Sequence, residues 1–203
     1  LSPRGEAALE GAESVARRAG AFQLAEFRTR PAGWGDEKAA HDFVSHVDLE
    51  SEAIIKEGLA AVLPEAAFYG EEGGGDAGAE LLWVVDPLDG TTNYLSGIDA
   101  FCVSIALVEK NVPSLACVHK PHGDETFTAA RGLGAFRDGK RLPKVKDIPL
   151  ARSLLATGTP YRSPDTRAAF LETLDAVLPA CRDLRRPGSA ALDLCYLASG
   201  WFQ

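Results

Sequence analysis

The sequence contains no methionine, not even at its first position, and is therefore expected to be part of a longer natural chain. No apolar run approaches the roughly 18–20 residues needed to cross a bilayer. The start, Leu1 to Gly20, is charged and helical and does not read as a secretion signal, so the cytoplasm is the default location and no membrane partner is expected. Cysteine is sparse. Cys102, Cys117, Cys181 and Cys195 form no C-x-x-C pair, sit in apolar segments, and are expected to be reduced core residues. Positive charge is also scarce, with 21 Lys and Arg against 29 Asp and Glu for a net charge of −8. That balance argues against a large electrostatic grip on nucleic acid or an anionic membrane surface, and any phosphate site must find its positive charge elsewhere. There is no internal repeat and no low-complexity tract.

What is present has globular proportions: 203 residues, 46% hydrophobic and 25% charged, enough for one large core or two modest ones. From Glu6 to Phe27, Leu9, Ala12, Val15, Ala16, Ala19 and Phe22 recur at three- and four-residue steps, the stripe of an amphipathic helix. Residues 29–41, with Pro31, Gly33 and Gly35, read as a loop or loosely held hairpin. Ser45-His46-Val47-Asp48 is a capping-box pattern opening a second helix that runs to Pro64. Ala67–Gly70 is a short strand that delivers Glu71 and Glu72 to a Gly-rich stretch. Leu81–Val85 is apolar without alternation, as in a strand buried on both faces. Phe101–Val108, Ser114–His119 and Glu125–Ala129 read as further strands, with a turn at Asp138-Gly139.

After about Ile148 the pattern alternates strand and helix: Ser153–Thr157, a helix over about 165–178, Arg182–Arg186, and a helix over Ser189–Ala198. The expected organisation is an α+β unit over residues 1–147 and the start of an α/β unit over 148–203.

The stretch Asp86-Pro87-Leu88-Asp89-Gly90-Thr91-Thr92-Asn93 carries the most chemistry, because two carboxylates lie directly after a buried strand. Pro87 is expected to hold them on a tight turn, and Gly90 to let backbone amides approach an anion. Hard oxygen ligands on a rigid turn suit magnesium. A short helix opening at Thr91 would offer its amides to a phosphate. Taken alone, the same residues also describe an ordinary turn. Glu71, at another strand end, either joins the same metal cluster or is a solvated loop residue. Asp48 either polarises a hydroxyl such as that of Thr91 or merely caps its helix. Gly188-Ser189-Ala190 either turns its amides toward a ligand or is a plain helix start. His41, His46, His119 and His122 lack ligand spacing, are given surface or loop positions, and are assigned no chemistry.

Together, Asp42-Phe43-Val44-Ser45-His46-Val47-Asp48, Gly70-Glu71-Glu72, Trp83 through Asn93, Glu125-Thr126-Phe127-Thr128-Ala129 and Gly188-Ser189-Ala190-Ala191 resemble the inositol monophosphatase family of magnesium-dependent, lithium-sensitive phosphatases. That family also includes fructose-1,6-bisphosphatases and bisphosphate nucleotidases. The resemblance implies the layered α-β-α-β-α sugar-phosphatase fold, a homodimer, and roughly two or three magnesium ions per site. It implies that Glu71, Asp86 and the Leu88 carbonyl hold one ion, that Asp86 and Asp89 share a second, and that Glu71 helps hold a weaker third. Catalytic roles fall to Asp48, Glu71 and Thr91, with Thr91 and Asp48 activating the attacking water. Asp89, Gly90, Thr91, Gly188, Ser189 and Ala190 would contact the substrate, a small phosphorylated metabolite. Inositol monophosphate is the first substrate expectation. Fructose-1,6-bisphosphate, histidinol phosphate and 3′-phosphoadenosine 5′-phosphate are alternatives, as is a non-catalytic binding role. The family carries a further aspartate in a downstream Trp-Asp motif that does not occur before Gln203, so the C-terminal unit is expected to be incomplete.

Overall fold

The computed structural model describes residues 2–31, 33–39, 42–161 and 163–203, with the backbone alone at positions 3, 37–39, 42, 43 and 164; His41 lies outside the described residues. The chain begins with α1 (Pro3–Glu26), whose cap is the Ser2 hydroxyl accepting the Gly5 N–H at 3.2 Å. A hairpin of β1 (Asp36–Ala39) and β2 (Asp42–Val44) follows, pairing antiparallel. Next comes α2 (His46–Val62), and its expected capping box is formed: the Ser45 side chain accepts from the helix backbone while Asp48 accepts the Ser45 N–H. A reciprocal cap of this kind satisfies two amides that a helix start would otherwise leave bare.

The elements β3 (Ala67–Gly70), β4 (Gly74–Gly75), β5 (Leu81–Asp89), α3 (Thr91–Leu95), β6 (Cys102–Glu109), β7 (Val112–Lys120), β8 (Glu125–Ala130), β9 (Gly134–Arg137) and β10 (Lys140–Arg141) complete the first part of the chain. They build an eight-stranded sheet in the order β10-β9-β8-β7-β6-β5-β3-β4. Only the β3–β5 pair is parallel; its neighbours are antiparallel. The short strands β4, β9 and β10 were not anticipated, because Gly-rich and charged segments of two to four residues lack the alternation that marks a strand.

Helices α1 and α2 pack on each other and over β5, β6 and β7. Their shared core holds Ala12, Ala16, Ala19, Ile55, Leu59, Trp83, Val85, Val103, Ile105, Leu115 and Cys117. The small residues along α1 let the two helices approach, since a side chain at Gly11 or Gly58 would run into Val62 or Val15. β5 is less fully buried than expected: Trp83 and Val85 point into the core and Leu82 is covered on the other face, but Val84 beside it is 37% exposed.

The remaining elements are β11 (Leu154–Ala156), α4 (Arg167–Val177), β12 (Asp183–Arg185) and α5 (Ala190–Ala198). β11 and β12 pair in parallel as a separate two-stranded sheet. α5 returns to pack on β6 and β7, beside Ser104, Ala116 and Val118. Those residues alternate with Val103, Ile105, Leu115 and Cys117, so α5 covers the face opposite α1 and α2. Helices on both faces of a large mixed sheet are the layered fold that was expected.

Two expectations are corrected here. His119 is buried, not superficial: it sits on β7 with Nδ1 2.9 Å from the Thr126 hydroxyl, and burial lowers its pKa. Cys102 and Cys117 are core thiols, but Cys181, in the turn between α4 and β12, and Cys195, on α5, are only half-buried; all four are free. Among the described residues no helix is long and apolar enough to cross a membrane.

Candidate active site

Asp86 to Asp89 continue β5 instead of forming the tight turn expected from their composition. On the ladder to β6, Asp86 pairs with Ser104 and Asp89 with Cys102, so three steps along β5 match two along β6. The surplus residue is a β-bulge. In a regular strand, positions three apart face opposite sides of the sheet. The bulge cancels that alternation, and both carboxylates line one cavity. Pro87 lacks an amide for the ladder and is tolerated in this irregular stretch; its carbonyl accepts the buried Gln23 Nε2–H at 2.7 Å. Leu88 anchors the bulge from below, packed with Val47, Tyr94, Leu95 and Phe101. Burying such a side chain contributes about 1.5–3 kcal/mol.

Gly90 closes the strand at φ 101°, a left-handed conformation, and a Cβ there would lie 2.8 Å from the Ala100 carbonyl. Only glycine turns the chain here at low cost. α3 begins at once. Asn93 then ties it to the last third of the chain, donating from Nδ2 to the carbonyls of Ala100 at 2.7 Å and Pro187 at 2.9 Å.

The Thr91 hydroxyl reaches Asp48 Oδ1 at 2.9 Å and the Leu88 carbonyl at 3.1 Å. Asp48 is buried at the first turn of α2, and its other oxygen accepts the Ser45 N–H at 2.8 Å and the Ser45 hydroxyl at 2.6 Å. Burial raises the Asp48 pKa, against the opposing effect of these donors. The one aspartate is thus both the helix cap and the partner of Thr91; the two readings of its role are compatible.

The parallel register sets Gly70 beside Val85, so the next residue along, Glu71, arrives beside Asp86; the Glu71 N–H donates to the Val85 carbonyl at 3.1 Å. Burial pushes Asp86 up to about 9, reinforced by the charges of Glu71 and Asp89 and by a hydrogen bond with the Glu71 side chain. Asp89 Oδ2 accepts the Ser189 hydroxyl at 2.6 Å and the Ala191 N–H at 2.7 Å. It therefore caps α5 from a distant part of the chain, in place of Ser189, whose side chain makes no cap of its own.

A cavity of about 390 Å³ opens over these groups, lined by Glu71, Asp86, Leu88, Asp89, Gly90 and Thr91 on one side and by Gly188, Ser189 and Ala190 on another. The structure brings together every residue singled out for metal or substrate. Asp48 stands behind Thr91.

Residues that the sequence reading did not single out complete the wall: the segment Thr157–Tyr161, Arg186, whose guanidinium lies 5.6 Å from the Tyr161 ring, and Asp193. A carboxylate one turn into an apolar helix and an arginine just before a Gly-Ser pair were the available signals. Asp193 Oδ1 is buried without a hydrogen-bond partner among the described residues, and burial with the nearby charge of Asp89 pushes the group up to about 6, with Arg186 opposing.

Among the described residues no three Asp, Glu, His or Cys side chains form a preformed metal cage. One oxygen of Asp89 is committed to α5, and Asp86 and Glu71 are bound to each other. The donor set nevertheless suits a hard divalent cation. Burial, reinforced by the charges of Glu71 and Asp89, keeps Asp86 protonated, and a cation would offset both the burial and the repulsion.

This burial has a measurable consequence. Asp86 rises from an ordinary 3.8 to about 9, so in the metal-free protein its contribution to stability is fully present below pH 4 and is lost as the pH rises through 9. Thermal unfolding of EDTA-treated protein should therefore move to lower temperature between pH 5 and pH 9. Magnesium at pH 8 should restore it, and Asp86→Asn should flatten the profile. A metal-free midpoint that climbs over this range would contradict the burial described.

The profile described as the inositol monophosphatase family matches residues 6–203. The chain is 42% identical over 175 residues to the Nus factor SuhB of Vibrio cholerae, covering 82% of this chain and 65% of that protein. It is 41% identical over 169 residues to the fructose-1,6-bisphosphatase/inositol-1-monophosphatase of Aquifex aeolicus, covering 82% and 64%. The crystal structure of the extragenic suppressor protein suhB from Bartonella henselae superposes with a TM-score of 0.89 at 33% identity, over 97% of this chain and 76% of that one. The chain thus spans just under two thirds of the length of the two curated relatives. Fold and sequence agree: the chain belongs to the inositol monophosphatase family.

Proposed function

We propose that this chain carries the metal and phosphate site of a magnesium-dependent phosphomonoesterase acting on a small phosphorylated metabolite, with inositol monophosphate as the first substrate. The observation that supports it most is the convergence of Glu71, Asp86 and Asp89 on one cavity beside the Thr91–Asp48 pair. Residues 1–147 hold metal and phosphate in this reading, and residues 148–203 begin the unit that contacts the alcohol. The homodimer implied by the resemblance and the cytoplasmic location expected from the sequence belong to the same proposal.

Glu71, Asp86 and the Leu88 carbonyl would hold one magnesium, Asp86 and Asp89 another, and Glu71 a weaker third. When bound, magnesium supplies Lewis-acid stabilisation of the phosphoryl oxygens and lowers the pKa of water. The remaining work falls to the chain. With its proton directed to Asp48 Oδ1, the Thr91 hydroxyl offers a lone pair to the attacking water, accepts its proton, and passes its own to Asp48. Ser45 saturates the other Asp48 oxygen, so the carboxylate keeps its aim. The amides of Gly90 and Thr91 face the phosphate. Asp89 and the Gly188-Ser189-Ala190 segment flank the substrate, with Arg186 and Asp193 toward its alcohol part.

Phosphate release should be measured from inositol monophosphate, fructose-1,6-bisphosphate, histidinol phosphate and 3′-phosphoadenosine 5′-phosphate, with and without magnesium. Turnover should require magnesium, vanish in excess EDTA and be inhibited by lithium. A second reading follows from the name Nus factor given to the Vibrio cholerae relative, namely a family member serving as a factor and not as an enzyme. No turnover on any of these substrates would favour it.

A further inference from the structure

Asp48 is not the only buried acid on α2. One turn later Glu52 is 8% exposed, on the same helix face, and among the described residues no Lys, Arg or His side chain pairs with its carboxylate. It reaches instead to the turn after β3. Oε2 accepts the Glu72 N–H and Oε1 accepts the Gly73 N–H, both at 2.8 Å. The two oxygens of one carboxylate therefore clamp two successive amides of the turn that presents Glu71.

The turn is shaped around this clamp. A Cβ at Gly70 would overlap the Glu52 carboxyl group, and a Cβ at Gly73 would lie 2.7 Å from Oε1. The glycines on either side of Glu71-Glu72 thus leave the space that the carboxylate fills. A buried charge has few ways to be tolerated, and two backbone donors aimed at its two oxygens are among the best. The same stretch of helix supports the rest of the cavity floor. Asp48 holds Thr91, and Ser51 accepts from Gln23, which in turn donates to the Pro87 carbonyl in the bulge.

We propose that Glu52 is a positioning residue for Glu71: it sets the Glu71 backbone in the register from which that carboxylate meets Asp86, and so governs metal affinity without touching metal or substrate. This rests on the metal reading above and extends it. Groups that orient metal ligands from behind typically change metal affinity by about 10- to 100-fold when removed.

The test compares unmodified protein, Glu52→Gln and Gly73→Ala, all in the intact protein. The glutamine keeps the volume but offers an N–H₂ where an acceptor is needed, and the alanine pushes on the clamp from the turn side. Both should raise the magnesium concentration for half-maximal turnover by about tenfold or more, with the substrate KM at saturating magnesium little changed. In metal-free protein, hydrogen exchange at the Glu72 and Gly73 amides should accelerate in Glu52→Gln. A residue of merely structural importance would lower the amount of active protein and leave magnesium half-saturation where it was. Retained protection of both amides in Glu52→Gln would overturn the clamp. Lost protection with unmoved magnesium half-saturation would overturn its link to the metal site. If the unmodified protein needs no magnesium at all, the metal reading has failed and takes the role of Glu52 with it, while the exchange result still reports on the clamp.

Discussion

Replacing Asp86 with asparagine should lower magnesium-dependent phosphate release by roughly a thousandfold, with folding intact. Asp86 is the carboxylate that both proposed principal ions would share, and metal-centred charge stabilisation is worth several kcal/mol at a phosphoryl group. The substitution is nearly isosteric and removes the group that burial, Glu71 and Asp89 already hold protonated in metal-free protein. The apo fold should accordingly tolerate it, and its thermal midpoint at pH 8 without metal should not fall. The Leu88 N–H that donates to Asp86 Oδ1 at 3.1 Å can donate equally to the amide oxygen. Turnover kinetics with a magnesium titration, beside a melting curve, would separate the two effects. Unchanged magnesium-dependent turnover would remove Asp86 from the site and with it the proposed metal arrangement.

Thr91→Val should cost the next largest factor, about 10² to 10⁴ in kcat, the range for a positioned group that relays a proton. Valine keeps the β-branched shape at the start of α3 but leaves Asp48 Oδ1 without its donor. Asp48→Asn should give a loss of similar size through the opposite partner, because an amide oxygen can hold the Thr91 proton but cannot take it. Since the two act as one unit, the double variant should be little worse than either single one. Additive losses in that cycle would show that Thr91 and Asp48 do not form a relay.

Much of this site is legible from residues in sequence. The Asp86–Asn93 run declares a rigid, oxygen-rich segment after a strand, Glu71 declares itself by following another strand, and the capping box at Ser45 and Asp48 forms as its spacing demands. These are local signals, and each depends on neighbours within a few residues. What was not legible is longer in range. The bulge is a mismatch between two strands and has no signature in either one, so Pro87 suggested a tight turn. His119 was given a surface position because nothing in its own strand shows that α1 will cover it and Thr126 will bond it. Glu52 reads as one more acid in a charged helix. The signal that could have exposed it is its place on the stripe of Val47, Asp48, Ser51, Ile55 and Leu59, where a glutamate has no reason to be unless something meets it. Fold class came through because helices and long strands carry their own periodicity. The partners of the buried polar groups did not, because they are chosen by tertiary packing.

The uneven ladder between β5 and β6 also constrains how this motif can vary. Because one strand advances a step farther than its neighbour, the two aspartates are half a pleat out of phase with the rest of the sheet, and that offset is what aligns them. The mismatch between the two strands is therefore stiffer than the identity of the residues between the acids. A side-chain exchange at Leu88 would loosen the floor of the cavity, whereas evening the ladder with the spacing kept, by adding one residue to β6 opposite the bulge, would swing Asp89 to the far side and strip α5 of the cap that docks the last third of the chain onto the first.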